Sequence, residues 1–263
     1  MIFLSYRGSA TRGRRAATRS VARCRALSAL SSLSSAAARE RRAVVDEMLR
    51  VDQAGEAAAV QIYAGQMWVL RGGSPVHAEL RRMREGEERH LRAVNALVAE
   101  RRARPSLLLP VWRAAGFALG AATALLGRDA AMACTVAVET SISEHYNEQI
   151  RELLRRGVAA PAAPAAAAAT VQGVSAASAL ASTASAAAAS GSAAPAAGAA
   201  AAHVGEDGGD AALLHMMKTH RDEELEHHDE ALRLGAERAP FYSALTGAIR
   251  LGCAGAIEIA RRV

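Results

Sequence analysis

The sequence predicts an all-α fold, because its composition suits helices and its apolar residues recur with helical spacing. Only 3% of the residues are aromatic, alanine is abundant throughout, and runs of β-branched residues are nearly absent. Such a composition favours helices over strands. With 263 residues, of which 51% are hydrophobic, the chain is long enough to bury a sizeable core.

The positive charge of the chain is concentrated at its N-terminus. Residues 1–43 contain ten arginines and one acid, Glu40, and the remainder has 22 basic and 25 acidic residues. A slightly acidic body argues against nucleic-acid binding. The Arg-, Ser- and Ala-rich composition of residues 1–43 predicts a mitochondrial transit peptide, with a disordered basic arm as the alternative. A secretory signal fits worse, since no uninterrupted apolar stretch follows the first charges.

Glycines and prolines divide the rest of the chain into helices. The run GGSP at 72–75 separates helices predicted at 44–71 and 75–104, which therefore form an antiparallel hairpin. Gly127 separates an apolar segment at 107–126 from a helix at 129–156, and Pro240 separates helices at 210–238 and 241–262.

Residues 157–209 differ in composition from the helices on either side. They are mostly alanine, serine, glycine and proline, with almost no large side chains. Such a segment has too little apolar bulk to build a core, so we predict a disordered insertion. Closing a long loop costs only logarithmically in its length, so residues 44–156 and 210–263 can still form one folded body.

Two ExxH units stand in the predicted helices, Glu87 to His90 and Glu224 to His227. A separation of three residues places both side chains on one helix face, close enough to bind the same metal ion. One such unit is weak evidence, because charged and solvated helix faces are common.

The apolar neighbours make the pattern more specific, because ligands of a buried site must share the core-facing side of their helices. Glu56 and Glu139 each lie on an apolar stripe, and so do both ExxH units. The stripe residues are Val60, Tyr63, Met67 and Leu70; Leu80, Met83, Val94 and Leu97; Met132, Val136, Ile142, Tyr146, Ile150 and Leu153; and Leu213, Met217 and Leu234.

Four inward glutamates and two histidines are the ligand set with which ferritin-like four-helix bundles hold two iron or manganese ions. The cysteines, Cys24, Cys134 and Cys253, form no CxxC pair, and oxygen-rich ligation without thiolate favours iron or manganese over structural zinc. We expect two iron ions. The ligands alone leave oxygen activation and iron storage open.

Three strings around these residues are more specific than the ligands themselves. VDQAGEAAAVQIYAGQM at 51–67, LLPVWRAAGFALGAATALLGRDAAMACTVAVETSISEHYNEQI at 108–150 and RDEELEHHD at 221–229 resemble the demethoxyubiquinone hydroxylase family of ubiquinone biosynthesis. The resemblance implies a di-iron monooxygenase that uses O2 and electrons from NADH or another donor to hydroxylate a polyprenylated demethoxyubiquinone. It also implies peripheral attachment to the matrix side of the mitochondrial inner membrane.

The family's metal ligands carry over to six positions of this sequence. They are Glu56, Glu87, His90, Glu139, Glu224 and His227. Tyr146 and His145 are expected to line the pocket for the quinone ring, with a core tyrosine as the alternative for Tyr146. Asp52 is expected either to orient a ligand imidazole or to face solvent.

The remaining histidines in the last ligand region are expected at the surface or just behind the ligands. They are His215, His220 and His228.

The apolar segment at 107–126 is long enough to span a bilayer, but Pro110, Arg113 and its glycines argue against a spanning helix. A helix that lies on the membrane suits an isoprenoid substrate, and burial in a bundle or dimer is the alternative. The helix at 241–262 is a second candidate for membrane contact.

The resemblance further implies a ubiquinone-biosynthesis complex that includes a lipid-binding partner protein, and a homo-oligomer is also compatible with it. The competing functions are a ferritin-like iron store or scavenger, a membrane-bound di-iron quinol oxidase, and a scaffold with vestigial metal sites. Six intact ligands argue against the scaffold.

Overall fold

The computed structural model describes the backbone of residues 10–72, 75–157 and 206–263, and the side chains of residues 35–72, 76–157 and 209–263. Within these ranges the protein is all-α, as predicted, with no strand. The helices are α1 (Ala10–Val69), α2 (Pro75–Arg101), α3 (Leu109–Leu125), α4 (Arg128–Arg155), α5 (Glu206–Arg233) and α6 (Tyr242–Arg262).

Helices α1, α2, α4 and α5 form a four-helix bundle, in which α1 packs against α2 and α4 packs against α5. One apolar cluster fills one end of the bundle and includes Leu49, Leu153 and Leu213. A second fills the other end and includes Leu80 and Met132. Along every bundle helix the predicted metal ligands stand between residues of the two clusters, so the middle of the bundle is left to polar side chains.

Helices α3 and α6 pack on the outside of this bundle, against α1 and α4. The α1–α3 contact is made by small residues: a Cβ atom at Gly120 or Gly116 would collide with the α1 backbone at Ile62 or Ala58. The C-terminal end of α6 is held by Arg50, whose guanidinium donates hydrogen bonds to the carbonyl oxygens of Ala260 (3.1 Å) and Arg261 (2.5 Å).

Three helices, α1, α2 and α5, have ends that differ from the prediction by three residues or more. Helix α1 begins at Ala10 rather than at 44. Residues 10–43 are rich in alanine and arginine, which are strong helix formers, and they contain no proline. Helix α2 ends at Arg101, three residues early, and Arg102 is left-handed with φ 53°. Helix α5 ends at Arg233 rather than at 238, because Gly235, with φ 100°, starts a short 3-10 turn at Ala236–Arg238.

The predicted insertion at 157–209 lies outside the described residues, apart from Gly157 and residues 206–209. The latter belong to the first turn of α5, which begins at Glu206 rather than at the predicted 210, and the insertion itself stays a prediction. The transit-peptide prediction for residues 1–43 is not tested by the helical backbone of residues 10–43, and it stays a prediction.

Helix α6 is long and apolar enough to cross a membrane by length and composition, whereas α3 is apolar but shorter. Core helices of other proteins have the same length and apolar composition, so these two properties alone are weak evidence for a membrane span. Both helices expose large apolar side chains, among them Val111 and Leu125 on α3 and Leu251 and Ile259 on α6. Membrane contact therefore stays a prediction that this surface permits.

We predict that Gly120→Ala destabilises the protein, because the added methyl group forces α3 away from the α1 backbone. Overpacking of this kind costs about 1–3 kcal/mol, and urea unfolding measures it. The matched control is Gly252→Ala on α6, where an added Cβ atom meets nothing within 4 Å; replacing a helical glycine there stabilises by about 0.5–1 kcal/mol. Equal stability of the two variants would contradict the backbone contact.

Candidate metal centre

All six predicted ligands converge in the middle of the bundle. Helix α1 places Glu56 there and α4 places Glu139, while α2 and α5 each contribute the Glu and His of an ExxH unit. Each of the six side chains is less than 5% exposed. Two neighbouring glutamates point elsewhere: Glu88 pairs with Arg84 on the helix surface, and Glu226 is exposed.

The six side chains form two groups whose donor atoms lie within 4.8 Å of one another, and the two groups share two glutamates, Glu87 and Glu224. One group is Glu56, Glu87, His90 and Glu224, and the other is Glu87, Glu139, Glu224 and His227. The ExxH units face each other crosswise. His90 Nδ1 lies 3.0 Å from Glu224 Oε1, and His227 Nδ1 lies 2.8 Å from Glu87 Oε1.

Buried polar atoms of this cluster lack hydrogen-bond partners. They are Oε2 of Glu56 and Glu139, both carboxylate oxygens of Glu87 and Glu224, and Nδ1 of His90 and His227. Buried charges are costly unless they are paired with opposite charges or bind a metal ion. Two divalent cations would balance four carboxylates with both imidazoles neutral, and the oxygen and nitrogen donors suit iron or manganese. The residues therefore fit a pair of such ions.

Without metal, the glutamates of the cluster differ in pKa, so their negative charge is unevenly distributed. Burial, followed by the charges of Glu224 and Glu87, raises the pKa of Glu139 well above its usual value, and burial together with Glu87 raises the pKa of Glu224 to about 8. Although burial opposes it, the nearby imidazoles of His227 and His90 lower the pKa of Glu87 to about 2. Two of the carboxyl groups thus take up protons at the positions where metal ions would otherwise supply positive charge.

Two tyrosines donate hydrogen bonds into the cluster. The Tyr146 hydroxyl donates to Glu56 Oε1 and the Tyr63 hydroxyl donates to Glu139 Oε1, each at 2.5 Å. The hydroxyl of Tyr146 is therefore satisfied, as in a core tyrosine, yet its partner is a predicted ligand. Tyr63 was anticipated only as an apolar stripe residue. Its spacing of seven residues after Glu56, matching that of Tyr146 after Glu139, could have revealed its role.

A further carboxylate was missed by the sequence analysis. Glu223, one residue before Glu224, lies with Oε2 2.8 Å from His90 Nε2. Histidines that bind metal commonly donate their other ring N–H to a carboxylate, which fixes the ring orientation. Nothing in the charged run around Glu223 distinguishes it from its surface neighbours.

Both expectations for Asp52 were wrong. It is buried, and its Oδ1 accepts a hydrogen bond from Gln149 Nε2 at 2.7 Å rather than from a ligand imidazole. Burial raises its pKa well above the usual value. Among the remaining histidines, His215 is exposed, His228 pairs with Asp229, and His220 is buried against His90.

An apolar cavity of about 110 Å³ lies between α1, α3, α4 and α6 and reaches the cluster. Its inner end is lined by Glu56 and Tyr146, and His145 lines one wall. Its other walls include Gly55, Ile62, Trp112, Val138, Ile142 and Ile257. The cavity thus adjoins the Glu56 side of the cluster, as the sequence analysis expected for Tyr146 and His145.

We predict that Glu224→Gln stabilises the metal-free protein at alkaline pH. Folding raises the pKa of Glu224 to about 8 from 4.5, so the folded state binds this proton more tightly than the unfolded state. The free energy of unfolding therefore falls as the pH rises between these values, by up to about 1.4 kcal/mol per pH unit. Glutamine stays neutral and avoids this loss.

Urea unfolding of the metal-free protein at about pH 5 and about pH 8 measures the effect, with Glu226→Gln as an exposed control on the same helix. The stability advantage of Glu224→Gln should be larger at the higher pH. An advantage that shrinks as the pH rises would contradict the sign of the pKa shift.

Comparison with known proteins places the chain in a family. A profile of the family described as ubiquinone biosynthesis protein COQ7 matches residues 43–260. A Rattus norvegicus protein named NADPH-dependent 3-demethoxyubiquinone 3-hydroxylase, mitochondrial, is 41% identical over 221 residues, covering 84% of this chain and 79% of the relative.

The Homo sapiens protein of the same name is 39% identical over 222 residues, with the same coverage of both chains. A Rhodospirillum rubrum protein named 3-demethoxyubiquinol 3-hydroxylase is 39% identical over 221 residues, again covering 84% of this chain and 79% of the relative. The profile match includes α2, α3, α4 and α5 entirely, α1 from residue 43 onwards, and α6 up to residue 260. The chain therefore belongs to the ubiquinone biosynthesis protein COQ7 family.

Proposed function

We propose that this protein is a di-iron monooxygenase that hydroxylates the ring of a polyprenylated demethoxyubiquinone. Family membership and the names of its relatives support the broader statement, a hydroxylase of ubiquinone biosynthesis. The observation that carries the finer proposal is the apolar cavity that ends on Glu56 and Tyr146, at the edge of the carboxylate cluster. A ferritin-like iron store has no need of such a cavity.

The reaction replaces a ring C–H by C–OH with one atom of O2, and the other oxygen atom leaves as water after taking up two electrons and two protons. A pair of bound iron ions supplies the redox chemistry that activates O2. Glu87 and Glu224 belong to both donor groups and would hold the two ions side by side. Glu56 with His90, and Glu139 with His227, complete the two positions.

The protein's own groups prepare the cavity for an apolar ring. Its walls are mostly apolar, so they exclude water and bind the quinone and the start of its isoprenoid tail. Burial raises the pKa of Tyr146 well above 10, so the phenol keeps its proton and directs it at Glu56 Oε1. Burial and the charge of Arg261 lower the pKa of His145 to about 4, which keeps this wall of the cavity uncharged at neutral pH.

The cellular setting is proposed from the relatives and the surface. Several relatives carry mitochondrial in their names, which supports import through residues 1–43. We further propose a matrix-side position on the inner membrane, as the family resemblance implies. The exposed apolar side chains of α3 and α6, the helices that also line the cavity, suit a peripheral membrane contact through which an isoprenoid tail enters. A complex with a lipid-binding protein, and a homo-oligomer, remain part of the proposal.

The electron donor is proposed to be a reduced nicotinamide nucleotide. From the sequence, NADH or another donor was expected, and the Rattus norvegicus and Homo sapiens relatives are named NADPH-dependent. Assaying the full chain with each nucleotide in turn compares the two donors directly.

We predict that Glu224→Ala abolishes both iron binding and hydroxylation, because Glu224 serves both donor groups. Glu139→Ala, which damages one group, should retain about one iron ion per chain, compared with two in the unaltered chain. Glu226→Ala is the exposed control and should leave both quantities unchanged. Iron is measured per chain by elemental analysis, and product by mass spectrometry with a short-chain demethoxyquinone. Full turnover by Glu224→Ala would refute the assignment.

We predict that Gly55→Leu blocks the cavity without emptying the metal centre. Gly55 lines the cavity, and a Cβ atom there meets nothing within 4 Å, so the larger side chain extends into free space. The KM for the quinone should rise at least about tenfold, which corresponds to about 1.4 kcal/mol, while iron content stays unchanged.

Gly247→Leu is the matched control, since Gly247 is exposed on α6 and is equally open. An unchanged KM in Gly55→Leu would place the substrate elsewhere. An iron-loaded chain that oxidises Fe(II) but never hydroxylates a quinone would favour the iron-storage alternative.

A further inference from the structure

The two ligand-bearing hairpins match each other at the predicted ligands and at one tyrosine each. On the first helix of each hairpin a glutamate is followed seven residues later by a tyrosine: Glu56 and Tyr63 on α1, Glu139 and Tyr146 on α4. Each tyrosine donates its hydroxyl proton to the glutamate of the other hairpin. The metal centre is therefore built with an approximate two-fold symmetry that the overall sequence does not display.

The symmetry extends to the ExxH unit on the second helix of each hairpin and breaks at residues just before that unit. One break is Glu223, which contacts His90 Nε2, where α2 has Gly86. The other lies at a tyrosine hydroxyl. The residue four before the ExxH glutamate is Met83 on α2 and His220 on α5, and both contact a tyrosine hydroxyl. Tyr63 Oη lies 3.6 Å from Met83 Sδ, whereas Tyr146 Oη lies 3.3 Å from His220 Nδ1. A thioether is a weak hydrogen-bond acceptor and never a donor, whereas an imidazole can do either.

The hydrogen bonds at Tyr146 determine which role His220 takes. A phenol has one proton, and the 2.5 Å contact assigns it to Glu56 Oε1. His220 Nδ1 must then carry a hydrogen and donate it to the Tyr146 oxygen, an arrangement in which the tyrosine becomes a stronger donor to Glu56. Met83 cannot do the same for Tyr63 and Glu139.

His220 also packs directly on a predicted ligand. It is 5% exposed, and its ring stacks on the His90 ring with centroids 4.1 Å apart and planes 23° apart. An imidazole binds a metal ion in its own ring plane. Donor atoms of His220, His90 and Glu56 lie within 4.8 Å of one another, but the two stacked rings do not direct their nitrogens at one ion. His220 therefore acts through His90 and Tyr146 rather than as a ligand.

We propose that His220 is a positioning residue that, together with Glu223, makes the two metal positions inequivalent. Through Tyr146 it strengthens the hydrogen bond to Glu56, which draws negative charge away from that carboxylate, and through stacking it fixes the His90 ring. Both effects fall on the Glu56 and His90 position, the one that adjoins the apolar cavity. The inference rests on the proposed function, because it requires two bound metal ions.

Exchanging the two residues tests this inference in the full chain. Each protein is loaded anaerobically with isotopically enriched Fe(II), and its Mössbauer spectrum is recorded together with its iron content. The unaltered chain should show two resolved quadrupole doublets of equal area. His220→Met and Met83→His each make the surroundings of the two tyrosine hydroxyls alike, so the separation of the doublets should shrink while the iron content stays the same. The contact of Glu223 with His90 remains in both variants.

The double exchange, His220→Met with Met83→His, should separate the doublets again, and His220→Gln, which keeps an N–H donor, should retain most of the separation. Doublets that stay equally separated in both single variants at full iron content would overturn the inference while leaving the proposed function intact. An unaltered chain that binds no iron would refute both. Circular dichroism checks the fold of each variant, and Met83→His provides the result if His220→Met does not fold.

Discussion

Four carboxylates buried in the middle of a helical bundle are the constraint on which the rest of this structure depends. Isolated charges there cost far more than folding can supply, so they must be matched by protons, imidazoles or metal ions. The glutamates meet this need together, because Glu87 and Glu224 each face a histidine from the opposite hairpin. The apolar clusters at the two ends of the bundle hold the four helices at the spacing that this arrangement requires.

The two flanking helices, α3 and α6, pack on one side of a nearly symmetric bundle and so make its two halves different. Helix α3 approaches the α1 backbone closely because glycines face it, and α6 is held by Arg50 at its C-terminal end. Together with α1 and α4 they enclose the apolar cavity beside Glu56. His220 lies behind the same metal position, so the protein distinguishes its two hairpins both in the cavity and around the predicted ligands.

Most of the fold could be predicted because helical periodicity is local. The helices were located within a few residues, and the exceptions have local causes: Gly235 ends α5 early, and α1 extends back through an alanine- and arginine-rich segment. The convergence of the six side chains could be predicted as well, since each shares a face with apolar residues. Tyr63 was accessible by the same reasoning, through its seven-residue spacing from Glu56.

The all-α fold class, the core-facing side of each helix and the side chains that meet at the centre could all be predicted from the sequence. They depend on a repeat of 3.6 residues along one helix. The contacts between helices are known only from the tertiary structure. They are the hydrogen bonds of Tyr146 with Glu56 and of Asp52 with Gln149, the stacking of His220 on His90, and the contact of Glu223 with His90 Nε2. Such pairs join residues from 42 to more than 130 positions apart in the chain, as in Gln53 with Asn95 and His90 with Glu223. They depend on the relative rotation and axial shift of packed helices, which periodicity along a single helix does not specify.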